Sequence, residues 1–149
     1  MIDGDSPVVR LCAAGMAVDG DAAAAATLFR QAWDARRDDL DASIAAHFLA
    51  RHQPSLNDSL YWNRLAAEHA EAVTDERAKP LLPSLYLNLA DNFLALGHSA
   101  RASVVAERGI AALEFLPADG YREFVSRGLQ RVREGALREL AIITGPLIP

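Results

Sequence analysis

The sequence predicts an all-α protein, a short stack of antiparallel helical hairpins, and three observations lead there. Apolar residues make up 51% of the 149-residue chain, but alanine supplies much of that share, favouring helices while adding little bulk. Large aromatic side chains are few, at five Phe, three Tyr and two Trp, whereas the strands of a β-sandwich would call for β-branched and aromatic residues. Turn signals cut the chain into helix-length pieces, and no segment alternates with period two for long enough to demand a strand.

The first helix is expected from Pro7 to Val18, with Val8, Leu11, Cys12 and Met16 apolar at helical spacing. Ser6 stands as its cap ahead of an early proline. Asp19-Gly20-Asp21 makes a tight turn, and Asp21 can cap the second helix, Ala22 to about Arg36, which buries Ala25, Leu28, Phe29, Ala32 and Trp33. Asp38 or Asp39 caps a third helix, Leu40 to Arg51, built on Ile44, Phe48 and Leu49; Gln53-Pro54 ends it. Ser55 with Asp58 resembles a capping box for a fourth helix, Leu56 to about Val73, with Trp62, Leu65, Ala66, His69 and Val73 on its buried face.

The longest connector, Thr74 to Pro83, leads to a fifth helix ending at Leu96. Gly97-His98-Ser99 turns the chain into a sixth, Ala100 to about Phe115, which Pro117 stops. A seventh, about Gly120 to Ala141, carries Phe124, Val125, Leu129, Val132, Ala136 and Leu140 on one face. The tail from Thr144 to Pro149 has little reason to be ordered.

A net charge of −5 lacks the basic field of a general nucleic-acid binder. The best basic stripe, Arg127, Arg131 and Arg138, is interleaved with Glu123, Glu134 and Glu139, as on a solvated helix face. Cys12 is the only cysteine, so no intrachain disulfide forms, and it reads as a small packed hydrophobe. The first six residues lack the pattern of a signal peptide. No uncharged apolar stretch approaches bilayer-spanning length. A single soluble, cytoplasmic domain without membrane contact is the expectation.

An internal repeat is the most informative feature. At a constant offset of 77, Val9 falls on Tyr86, Cys12 on Leu89, Ala13 on Ala90, Met16 on Phe93 and Gly20 on Gly97. The match continues with Ala25 on Ala102, Leu28 on Val105, Phe29 on Ala106 and Ala32 on Gly109. Small residues recur because helices cross closely only where small side chains face each other, and a turn glycine serves a very short connection. Tyr86-Leu-Asn-Leu89-Ala90, Phe93, Gly97, Ala102 and Gly109 resemble the tetratricopeptide repeat, whose period is about 34 residues. The first hairpin is a fair copy; the middle one is irregular, with an insertion around Gln53-Pro54-Ser55. The middle segment is also similar to small bacterial tetratricopeptide-type proteins, through runs such as Ala46-His-Phe-Leu-Ala-Arg-His52 and Tyr61-Trp-Asn63.

The resemblance implies three hairpins, about 7–36, 40–73 and 84–115, in a right-handed stack forming an α-α superhelix, with the helix at about 120–141 as a cap. It also implies peptide binding on the concave surface of the first helices. The polar residues expected on that surface are Arg10, Ser43, His47, Arg51, Asn88 and Asp91. Arginine and asparagine suit a carboxylate or a peptide backbone, because they offer forked or paired hydrogen bonds. The lysine- and asparagine-rich carboxylate clamp of some family members has no close copy here. Pairing of His47 and Arg51 with Asp91 or with other acidic residues nearby is the structural alternative, and Trp62, Tyr61 and Tyr86 read better as core or hairpin-contact residues than as a ligand platform.

Catalytic and metal motifs are absent from the sequence. His47, His52, His69 and His98 form no pair one helical turn apart, and no Asp or Glu completes a zinc motif. There is no Gly-x-Ser-x-Gly elbow, no cysteine–histidine signature and no phosphate-binding glycine loop. The expectation is a binding protein without cofactor or metal, whose partner is another protein or a peptide segment. A small-molecule sensor is the alternative reading, and a homo-oligomerisation unit using an exposed helix face is a third.

Overall fold

The turn signals of the sequence set where helices begin and end in the computed structural model, which describes residues 2–145. Seven α-helices follow one another: α1 (Pro7–Ala17), α2 (Ala22–Asp34), α3 (Asp39–Leu49), α4 (Leu56–Ala72), α5 (Leu82–Ala95), α6 (Ser99–Ala112) and α7 (Gly120–Ile143). Single 3₁₀ turns occupy Ala50–His52, Lys79–Leu81 and Leu113–Phe115, and no strand occurs among the described residues. The last four residues of the expected disordered tail, 146–149, lie outside the described part. The helices group into two compact units, Met1–Leu81 and Leu82–Pro149.

Side-chain oxygens satisfy the first turns of α2, α3, α4 and α7. Asp21 accepts from the Ala24 amide at 3.1 Å, Asp38 from Asp41 at 2.8 Å and Asp119 from Arg122 at 3.0 Å. Ser55 accepts from the Asp58 amide at 3.1 Å and donates to the Asp58 carboxylate at 2.8 Å. Ser6 departs from this pattern. It stands at the cap position of α1, yet its hydroxyl makes no cap bond and donates to Asp41 at 3.0 Å.

In the first unit α1 pairs with α2 and α3 with α4, while α3 also touches α1 and α2. Enclosure by three helices buries almost the whole length of α3, from Leu40 to Ala46 and again at Leu49. In the second unit α5 pairs with α6, and α7 lies against both. Val125, Leu129, Val132 and Ala136 of α7 are buried there as the sequence suggested. Phe124 is not, at 70% exposure, and Leu140 is half-buried. Helix α7 meets α6 through the Val125–Leu129 face, and Phe124 lies one residue outside that face.

The repeat holds for part of its length. Cys12 and Leu89 are both buried, as are Ala25 with Ala102, Phe29 with Ala106 and Ala32 with Gly109. Met16 is 51% exposed, whereas its counterpart Phe93 is 5% exposed. Phe93 is covered by the His98 ring and the Arg101 guanidinium. The corresponding places in the first hairpin hold Asp21 and Ala24, which are too short to cover Met16. Ala13 is exposed as well, against a fully buried Ala90. The two turn glycines also differ. Gly97 has φ +81°, with the His98 amide bonded to the Phe93 carbonyl at 2.8 Å and the Gly97 amide to Leu94 at 3.0 Å, a Schellman ending. Gly20 has no positive φ, and its turn closes through the Asp21 amide on Val18 at 2.8 Å.

Gly15 marks a close approach between α1 and α2 in the first unit. A Cβ there would collide with the Phe29 ring, 2.8 Å from Cδ1. Phe29 is fully buried and stacks on Phe48 at 5.3 Å and on His52 at 6.0 Å, so the ring has no room to retreat. Alanine is favoured over glycine in a helix by about 1 kcal/mol, but overpacking costs about 1–3 kcal/mol. Gly15→Ala therefore lowers stability in urea denaturation, whereas Gly120→Ala, with open space around its Cβ, stays within about 0.5 kcal/mol of wild type.

Asp41 supports the same unit electrostatically. Burial alone would raise its carboxyl, but bonds from the Arg37 side chain, the Arg37 amide and Ser6 outweigh burial and hold it below the usual range. A lowered carboxyl stabilises the fold above its unfolded value of 3.8, and that contribution disappears as pH falls through the folded value. Asp41→Asn is expected to cost about 1–3 kcal/mol at neutral pH. In acid titrations of stability, the difference from wild type should shrink below about pH 4.

Candidate functional site

Helix α3 and the 3₁₀ turn that follows it carry half of the expected polar residues, and take them from core to surface. Ser43 is fully buried and its hydroxyl donates to the Ala66 carbonyl at 2.8 Å, joining α3 to α4. That corrects the expectation that Ser43 lines an open surface, because helical spacing alone does not reveal that α4 covers it. One turn later His47 is half-buried, with its ring edge-on to Phe48 at 5.0 Å. Arg51 follows on the 3₁₀ turn with 41% of its side chain exposed.

Arg51 is held by a residue that the sequence did not single out for this role. Its Nη2 donates to Asp19 Oδ2 at 2.6 Å, and Nε2 of His52 meets Asp19 Oδ1 at 2.7 Å. The bond from His52, and next that from Arg51, keep the Asp19 carboxyl below its ordinary value. Asp19 thus ties the α1–α2 turn to the end of α3 and fixes where the guanidinium stands. For Arg51 the acidic partner foreseen in general terms is Asp19. Burial, and secondarily the positive charge of Arg51, lower the pKa of His47 below 6.5. His47 is therefore uncharged at neutral pH.

Arg10, on α1, pairs with Asp5 at 2.8 Å, and both side chains are well exposed. In the second unit Asn88 is half-buried on α5, and Asp91 is exposed almost one turn further on. Trp62 and Tyr86 are buried at 8% exposure, and Trp62 meets Trp33 edge-on at 5.0 Å, so both pack as expected. Tyr61, at 58% exposure, does not.

The remaining histidines are engaged in packing or hydrogen bonds. His69 meets Asp39 at 2.8 Å and lies edge-on to Trp33, and His98 lies edge-on to Phe93. Among the described residues no three His, Cys, Asp or Glu side chains gather where a metal ion could be held. The Cys12 thiol is pushed up to about 12 by burial and then by Asp41, so it packs in its neutral form. No described helix is long and apolar enough to cross a membrane. Open depressions on the first unit lie along α4, from Asn57 to Glu68, and at Arg36–Asp39 with Ala42 and His69.

The His47–Arg51 coupling is measurable. In an NMR pH titration His47 should have its midpoint below 6.5, and Arg51→Ala should raise that midpoint without restoring 6.5, since burial is the larger cause. An unchanged midpoint would show that the guanidinium does not act on the ring. Comparison of the chain with protein-family models, with curated proteins and with solved structures gave no match.

Proposed function

We propose that this chain is a cytoplasmic protein-interaction module of tetratricopeptide type, with α1/α2, α3/α4 and α5/α6 as its repeats, and that it holds a short peptide segment. The observation that carries the proposal is Arg51, a guanidinium fixed by Asp19 and still 41% exposed, one turn beyond the half-buried His47. An arginine held in one place loses less conformational freedom on meeting a carboxylate. The uncharged imidazole of His47 stands one turn before Arg51, half-buried. The peptide therefore bears an acidic side chain or a free C-terminal carboxylate at Arg51. Arg10 on α1, in the same unit and well exposed, belongs to the proposed site.

Selection from a random peptide library, followed by calorimetry, tests the proposal. Selected peptides should be rich in acidic residues or end in a free carboxylate. His47→Ala/Arg51→Ala should weaken binding at least about tenfold, or about 1.4 kcal/mol. The Arg51–Asp19 pair is solvent-screened and contributes little to stability, so circular dichroism of the variant should match wild type. Equal binding by the folded variant would refute the site.

A further inference from the structure

Helix α4 leaves one stripe open to solvent. Asn57, Leu60, Tyr61, Arg64, Leu65 and Glu68 line its depression, spaced three and four residues apart on one side of the helix. Tyr61 is 58% exposed and is braced edge-on against the buried Trp62 at 5.2 Å. The order of the chemistry along the stripe is amide, leucine, aromatic ring, guanidinium, leucine, carboxylate.

We propose that this stripe is a homodimer contact, made with the same stripe of a second copy running antiparallel. With the two-fold axis between Trp62 and Asn63, Asn57 stands level with Glu68 of the second copy and Tyr61 with its Arg64. Leu60 stands level with Leu65 and flanks the seam. The Asn57 amide donates to the Glu68 carboxylate, and the guanidinium lies on the tyrosine ring. Two-fold symmetry makes every pairing twice. The alternatives are poorer. A parallel arrangement sets Arg64 beside Arg64 and Glu68 beside Glu68. A shift of one turn sets Arg64 level with Leu65 or with Asn57 and takes it off the ring. Tyrosine and arginine are the residue types that most often anchor interfaces. Six residues a side fall short of the area of a standard stable interface, so the dimer is weak and concentration-dependent.

Sedimentation equilibrium of the full chain, from about 10 µM to about 1 mM, tests this. Wild type should pass from monomer towards dimer over that range. Arg64→Ala and Tyr61→Ala should each weaken the dimer about tenfold or more. Asn57→Lys sets an ammonium level with each Glu68 and should tighten the dimer, whereas Asn57→Glu sets carboxylates level and should weaken it. As the second residue of α4, Asn57 lies at the positive end of the helix dipole. Monomer stability should therefore move the opposite way, up with glutamate and down with lysine, so loss of dimer by Asn57→Glu is not unfolding. His47→Ala/Arg51→Ala should leave the dimer intact, which separates this contact from the peptide site. A monomer throughout, or a dimer insensitive to residues 57, 61 and 64, would overturn the proposal.

Discussion

Gly15 and Phe29 interlock where α1 crosses α2, the missing Cβ of one making room for the fully buried ring of the other. The rest of the first unit builds on that contact. Phe29 stacks on Phe48 of α3 and on His52 just beyond it, so the ring that closes the first hairpin also seats the third helix. An alanine-rich chain has little side-chain volume with which to fill gaps, and close approach of backbones is its route to native packing density. The second unit meets the same constraint with the sizes exchanged. The positions matching Gly15 and Phe29 hold Asn92 and Ala106, both buried, and the closest approach moves to Gly109, where a Cβ would collide with Leu129 of α7.

Packing of small residues is weakly directional, and polar bonds over long sequence separations supply direction. Ser6 reaches Asp41 across 35 residues, and Asp19 is reached by Arg51 across 32 and by His52 across 33. Each joins the first hairpin to α3, one at either end of that helix. Asp41 is nearly solvent-free and satisfied from several sides, which lets it remain ionised in the interior. Ser6 gives up its capping bond for this role, and the proline after it leaves α1 one fewer exposed amide to satisfy.

Helix existence and order were legible because caps, prolines and turn glycines are local signals. Asp21, Asp38 and the Ser55–Asp58 pair act where the sequence placed them. Which face is covered was less legible, because it depends on neighbours. Met16 and Phe124 are apolar at helical spacing and still face solvent, the first because Asp21 and Ala24 are too short to cover it. Ser43 shows the opposite error, a polar residue placed on a surface stripe and found fully buried under α4. Of the candidate site, His47 and Arg51 could be placed one turn apart from sequence alone. Asp19 could not be linked to them, since nothing local to a turn aspartate points to a partner more than thirty residues away.

Asp19 bears on function in two opposing ways. It occupies part of the Arg51 guanidinium that a peptide carboxylate would seek, and it holds that guanidinium in place. Five donors in a rigid fork can serve two carboxylates, so occupancy by one does not exclude the other. His52 bonds the second oxygen of Asp19, so the aspartate keeps a partner even if a ligand draws Arg51 aside. The same triad rests on Phe29 through the stacked His52 ring, which continues to the Gly15 crossing. A surface cation positioned through packed core side chains is the preorganisation that the proposed peptide binding would draw on, because less freedom is then lost on contact.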